Sequence, residues 1–273
     1  MRLNDRNNPS ANTLRTMSMF PRGGMFVAWT NAWLDGRASL DEADVHTVAD
    51  DALHRIVGLP SLIDETRDEA LALSIGLSRL RGQGTTGMRL VLPIPGDALG
   101  LPGPRNFNES AIQAREAVIA DGPEPLGFVP TVGSSPAGTV VRWDAFPVNP
   151  SATPPRGRVS EYERDLGDAM REATETLESL DLARDRPDLG RQLQRIDNEV
   201  RRLAFPATLG PRQRRLIVTA TRLASIITWA SRDDGGSLSS AEARSRGEAL
   251  APMYAAARRA LSAGYSARPT DDQ

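Results

Sequence analysis

Apolar residues recur along this chain in two different rhythms. As far as residue 148, short apolar runs are broken by Gly, Pro and Asp; from residue 159 onward, apolar positions return every three or four residues with few interruptions. The first rhythm marks mixed strands and helices, the second amphipathic helices.

In the first half, Phe26, Trp29 and Trp33 fall on one face of a helix expected over 25–34, which Asp35 and Gly36 end. Ser39, with Glu42 three residues on, forms a capping box that opens a second helix. Its buried stripe is Val45, Val48, Ala49, Ala52 and Ile56, and Gly58 and Pro60 close it. A third helix is expected over 65–81, lined by Ala70, Leu73, Leu77 and Leu80; the alternation of Leu71, Leu73, Ile75 and Leu77 makes a strand the competing reading. Residues 89–94 read as a buried strand, followed by a Gly- and Pro-rich loop. Asn108 caps a helix carrying Ala111, Ile112, Arg115, Val118 and Ile119. Strands over 126–132 and 139–148, joined by the turn 133–138, complete a small three-stranded α+β domain.

Residues 149–158 have linker composition. Beyond them Leu166, Met170, Ala173, Leu177 and Leu180 repeat at four-three spacing, as do Leu189, Leu193, Ile196, Val200 and Leu203, and Leu216, Ala220, Leu223, Ile227 and Ala230. A last helix carries Ala243, Gly247, Leu250, Tyr254, Ala257 and Leu261, with Pro252 expected to kink or split it. Ser160 with Glu163, and Ser239 with Glu242, are further capping boxes. Short connections between such helices predict antiparallel neighbours in an up-and-down bundle. The expected plan is a polar leader over 1–18, an α+β domain over 19–148, the linker, a helical bundle over 159–265 and a tail over 266–273.

Composition removes much side-chain chemistry. The chain has no Cys, and its 33 basic residues are all Arg. Schiff bases, a Walker lysine, thiolate nucleophiles, disulfides and cysteine metal sites are therefore excluded. Arg without Lys, beside abundant Ala, Gly and Pro, is the signature of a GC-rich bacterial genome. The net charge of −2 gives no bulk attraction to nucleic acid or acidic membrane. Residues 1–22 lack an apolar signal core, and the most apolar stretch, 216–230, is too short to span a bilayer and is interrupted by Arg222. A cytoplasmic protein is expected.

Charge is unevenly spread over the helical half. Residues 159–185 are strongly acidic, whereas residues 186–232 are Arg-rich. Arg201, Arg202, Arg212, Arg214 and Arg215 form a candidate anion or nucleic-acid patch. No aromatic residues are interleaved to stack bases, so the favoured reading pairs the acidic helix with its basic neighbours.

The two histidines, His46 and His54, stand with Asp50 at four-residue steps on the expected second helix. That spacing strings them along two turns of a solvated face rather than around one ion, so no metal site is expected. The better candidate is the loop 95–108, which leaves a strand and enters a capped helix. Asp97 supplies a carboxylate, Arg105 an anion clamp, and Asn106 and Asn108 adaptable hydrogen-bonding groups; Arg142 and Asp144 flank Trp143 on a nearby strand. No phosphate-loop, dinucleotide or nucleophile-elbow motif occurs, and no cofactor is implied. The leading expectation is a non-catalytic protein-interaction or scaffolding protein whose partner is itself or another protein. The alternatives are a small-molecule binder or enzyme centred on the 95–108 loop, and anion or nucleic-acid binding by the Arg201–Arg215 patch.

Overall fold

The computed structural model describes residues 20–60, 70–150, 157–179, 189–232 and 240–268. The expected leader, residues 65–69 of the third helix, most of the linker, Ser239 of the last capping box and the end of the tail lie outside these residues. The described elements are α1 (Arg22–Leu34), α2 (Leu40–Val48), β1 (Leu53–Val57), β2 (Leu71–Ala72), α3 (Leu73–Gly82), β3 (Gly87–Val91), α4 (Arg105–Ala114), β4 (Ala117–Asp121), β5 (Leu126–Ser135), β6 (Gly138–Pro147), α5 (Val159–Ser179), α6 (Leu189–Arg202), α7 (Pro211–Arg232) and α8 (Ser240–Ser266).

The protein is mixed α+β, with a six-stranded sheet ordered β2-β1-β6-β5-β4-β3. β1 runs parallel to β6, bringing Ile56 opposite Trp143, and the other pairs are antiparallel. The three-stranded expectation is corrected because β1 and β4 lie where helices were read, and β2 lies where the strand alternative stood open. α2 stops at Val48, and Ala49 takes a positive φ of 47°. The next residues alternate buried, exposed, buried through His54, Arg55 and Ile56. That period of two is a strand's. The rotation also leaves Val45 64 % exposed, while Ala43 and Thr47 face inward. Likewise Arg115 leaves α4 with φ 61°, and Ala117–Ala120 are all buried. A short, fully buried run carries no period and reads equally well as helix.

One face of the sheet and the C-terminal helices share a single core. Phe26, Trp143, Phe128 and Leu77 belong to the same cluster as Leu166, Ile217, Leu223, Ala257 and Tyr265. A smaller cluster on the other face packs Phe107 and Ala111 of α4 over Ile119, Val129 and Val148. The Ser39–Glu42 capping box forms in full. α5 starts two residues earlier than the Ser160 box requires: Glu161 takes the Arg158 amide at 3.1 Å, and Glu163 pairs with Arg212 instead. α8 continues through Pro252, and both Pro252 and Glu248, whose carbonyl it cannot satisfy, are exposed residues.

β3 is an edge strand, and its outer backbone groups are closed by side chains. Asn31 of α1 donates to the Met88 carbonyl at 2.9 Å and accepts the Met88 amide at 2.7 Å. Ser266 accepts the Leu90 amide at 2.9 Å, and Ser262 donates to the Leu90 carbonyl. Arg258 reaches the Leu92 carbonyl at 2.5 Å and Arg268 the Thr86 carbonyl at 2.6 Å. Each unsatisfied buried backbone group costs about 1–3 kcal/mol. Asn31→Leu, close in size but unable to hydrogen-bond, strands both Met88 groups; a loss of about 2–5 kcal/mol is expected in urea unfolding.

α1 reaches this edge because its first turn is slim. A Cβ on Gly24 would stand 2.7 Å from the Tyr265 ring. Gly24→Ala gains about 1 kcal/mol of helix propensity but must displace a buried aromatic, an overpacking cost of about 1–3 kcal/mol. Gly82, in the last turn of α3, meets nothing within 4 Å. Opposite signs follow: Gly24→Ala lowers Tm, whereas Gly82→Ala raises it by up to the equivalent of about 1 kcal/mol, both read by calorimetry.

Candidate functional site

A cleft of about 110 Å³ opens where the start of α1, the end of α4 and β5 meet α7 and α8. Its deepest charged group is Arg258, 2 % exposed. The Nη1 of Arg258 donates to the Leu92 carbonyl, and its Nη2 binds Asp97 Oδ2 at 2.6 Å. The third donor, Nε, is buried without a partner. Tyr254, one turn earlier on α8, places its ring 5.6 Å from the guanidinium carbon. Burial raises the phenol's pKa above its ordinary value.

Arg115 enters from the other side. It occupies the left-handed position that ends α4, where Gly or Asn is usual. Burial, reinforced by the Arg258 charge, lowers its pKa against a smaller opposing effect from Tyr254. Among the described residues Arg115 has no hydrogen-bond or ion-pair partner.

Next in sequence, Glu116 accepts the Gly23 amide at the N-terminus of α1 and lines the same cleft. Burial pushes its pKa up to about 7, against the pull of the Gly23 amide and the Arg22 charge and amide. Burial works the same way on Asp97, but there the Arg258 hydrogen bond and charge prevail and hold the carboxyl below its usual range. Thr228 of α7 also borders the cleft, its hydroxyl donating to the Ala224 carbonyl at 2.7 Å. The remaining walls are mainly apolar, with Leu92, Val132 and Leu261.

The arrangement therefore holds two guanidiniums beside a carboxyl that titrates near neutrality. Such a site can fix an anionic group by charge-assisted hydrogen bonds. It draws on both halves of the chain, and those halves match known domains. Residues 24–158 match the sequence profile of the Rv1486c-like protein N-terminal domain, and residues 160–262 that of the Rv1486c-like protein C-terminal domain. The chain belongs to the Rv1486c-like family. Similar proteins include "Uncharacterized protein Rv1486c" of Mycobacterium tuberculosis (strain ATCC 25618 / H37Rv) and "Uncharacterized protein MT1533" of Mycobacterium tuberculosis (strain CDC 1551 / Oshkosh). Each is 27 % identical over 274 residues, covering 88 % of this chain and 94 % of its own. No solved structure matches. Arg115 and Glu116 thus come from the Rv1486c-like N-terminal domain, and Thr228, Tyr254 and Arg258 from the C-terminal one.

The residues singled out from sequence are dispersed. Asp97 pairs with Arg258 at the cleft. Arg105 projects into solvent beside Glu109, at 2.6 Å, and Asn106 is exposed. Asn108 accepts the Gly103 amide at 2.9 Å and so braces the loop. Arg142 and Asp144 pair with each other on β6, and Asp144 also accepts Thr131 at 3.0 Å. Arg201 and Arg215 are exposed, Arg212 pairs with Glu163, and Arg214 ties down the Pro206 and Leu209 carbonyls. Arg202 borders a separate, open groove of about 570 Å³ with His46, Asp50 and Glu199.

The expected solvated histidine face is also corrected. His54 sits on β1, 1 % exposed, with Asp51 3.1 Å from Nε2 and Trp143 donating to Nδ1 at 3.3 Å. Burial lowers its pKa, outweighing Asp51, and the neutral ring ties the bend before β1 to Trp143 of β6. His46 stacks on Trp29 at 4.1 Å. Among the described residues no group of three His, Asp or Glu could hold a metal ion, and no helix is long and apolar enough to cross a membrane.

Arg115, Glu116 and Arg258 were missed as site residues. One signal was available: a helix end without Gly or Asn at Arg115, followed by a charged pair at the mouth of an apolar run. The raised Glu116 pKa has a stability consequence. A carboxyl with a folded pKa of about 7 and an unfolded pKa near 4.3 favours the folded state when protonated, and that contribution is lost as pH rises from about 4.3 to 7. Glu116→Gln should match wild type at pH 4 and exceed it by about 1–3 kcal/mol at pH 8, read by denaturant titration at both values.

Proposed function

We propose that this protein binds a small organic anion in the cleft between its two domains. The observation that carries the reading is Arg115: a partly buried guanidinium without a counter-ion among the described residues, facing the same cleft that Arg258 lines. Leaving buried charge uncompensated costs several kcal/mol, and a ligand carboxylate or phosphate relieves that cost. Asp97 keeps its place in this reading as the group that orients Arg258. The site that sequence analysis put on the loop thus moves to the loop's partner on α8.

The test is titration calorimetry at pH 6 with isovalerate and, separately, inorganic phosphate. Saturable binding of at least one, weakened about tenfold or more by Arg115→Gln and unchanged by Arg105→Gln, is the expected result. Absence of binding by both, or equal binding to the Arg115 variant, overturns the reading.

A second reading keeps the four C-terminal helices as an antiparallel bundle that contacts other proteins in the cytoplasm. It is favoured by Met170, which lies on the apolar stripe of α5 yet is 39 % exposed.

A further inference from the structure

Arg115 and Glu116 are adjacent and opposite in charge, and both line the cleft, yet Arg115 makes no ion pair within 4.0 Å among the described residues. Glu116 accepts backbone amides of Gly23 and Arg22 at the start of α1. A carboxylate has about four acceptor positions, so two remain for a ligand. The cleft therefore presents an unmet cation and an only partly met anion side by side, in a space of about 110 Å³. That is well above the ~10–15 Å³ that a single water requires.

We propose that the ligand is a small zwitterion, an α-amino acid with a short apolar side chain, its carboxylate on Arg115 and its ammonium on Glu116. This rests on the anion-binding reading and names the ligand class for the same site. An anion alone would lie beside the Glu116 carboxylate, and their repulsion would have to be removed by protonating one of them. A zwitterion satisfies both ends without that step. Burial disfavours the bare Glu116 carboxylate, and an ammonium placed against it supplies the compensating charge. The side chain has Leu92, Val132 and Leu261 as its walls. Orientation then follows from charge, and selectivity for short side chains follows from the apolar walls.

Calorimetry of the full chain at pH 8, where Glu116 is largely ionised, compares L-valine with isovalerate, which lacks the amine, and isobutylamine, which lacks the carboxylate. Valine should bind at least about tenfold more tightly than either. Glu116→Gln should narrow the valine–isovalerate gap to less than about threefold, chiefly by weakening valine. The wild-type comparison decides the matter even if that variant folds poorly. If isovalerate binds at pH 6 through Arg115 but valine gains nothing over it at pH 8, the zwitterion proposal alone falls. If isovalerate and phosphate fail at pH 6, the anion reading falls and takes this proposal with it.

Discussion

The fold depends on closing the open edge of β3. A buried edge strand carries unpaired amides and carbonyls at every second residue, and each must find a partner. Here the partners are side chains rather than a seventh strand. The match has a simple metric basis. Four residues of helix rise about 6.0 Å and two residues of strand about 6.6 Å, so every fourth side chain of a helix laid along a strand meets every second backbone position. Arg258 and Ser262 stand at that spacing, meeting the Leu92 and Leu90 carbonyls; Ser266 takes the amide of the same Leu90, and Arg268 reaches Thr86. Residue numbers fall along α8 as they rise along β3, so the two elements run antiparallel. Asn31, from α1, fills the remaining station at Met88.

This closure fuses the two Rv1486c-like domains and locates the cleft. Along most of the edge a serine hydroxyl or a carboxamide suffices, because helix and strand lie close. At Leu92 the chain is turning into the 95–104 loop, and a longer side chain is needed. Arg258 supplies it, and Asp97, brought back by the Ile94–Asp97 bridge, fixes the second arm of its fork. A charged group is thus drawn to the seam between the domains for a structural reason. Arg115 and Glu116 arrive at the same seam from the connection between α4 and β4, where a left-handed residue turns the chain sharply.

Much of the local structure could be read from spacing. The Ser39–Glu42 box forms, Phe26, Trp29 and Trp33 are all buried, and the four C-terminal helices fall where the apolar repeat put them. The failures share one cause. At 53–57 and 117–121 the runs are too short to show a period, and the residues that separate them from the preceding helices, Ala49 and Arg115, adopt positive φ without being glycine. Gly is the usual residue at such breaks, so spacing alone carries both helices across them. His54 was then assigned to a solvated helical face, although a strand carries it beneath Trp143. The site was half visible for a related reason. Asp97 was legible as a carboxylate on a turn-rich loop, but its partner lies 161 residues away on a helix that the apolar stripe had marked as packing only.

The absence of Lys invites a purely compositional account of every Arg in the chain, and at most positions that account suffices. Arg258 is different. Its two Nη groups donate to the Leu92 carbonyl and the Asp97 carboxylate, while Nε stays buried without a partner. A lysine ammonium has three donors but no plane, so it could approach the Leu92 carbonyl or Asp97 as a point charge without holding both in fixed directions. Its stronger hydration would also raise the cost of burial at 2 % exposure. The rigid guanidinium joins edge closure and loop anchoring in one group. A genome that writes Arg for Lys supplies the residue, but the geometry of the β3 edge determines what this one does.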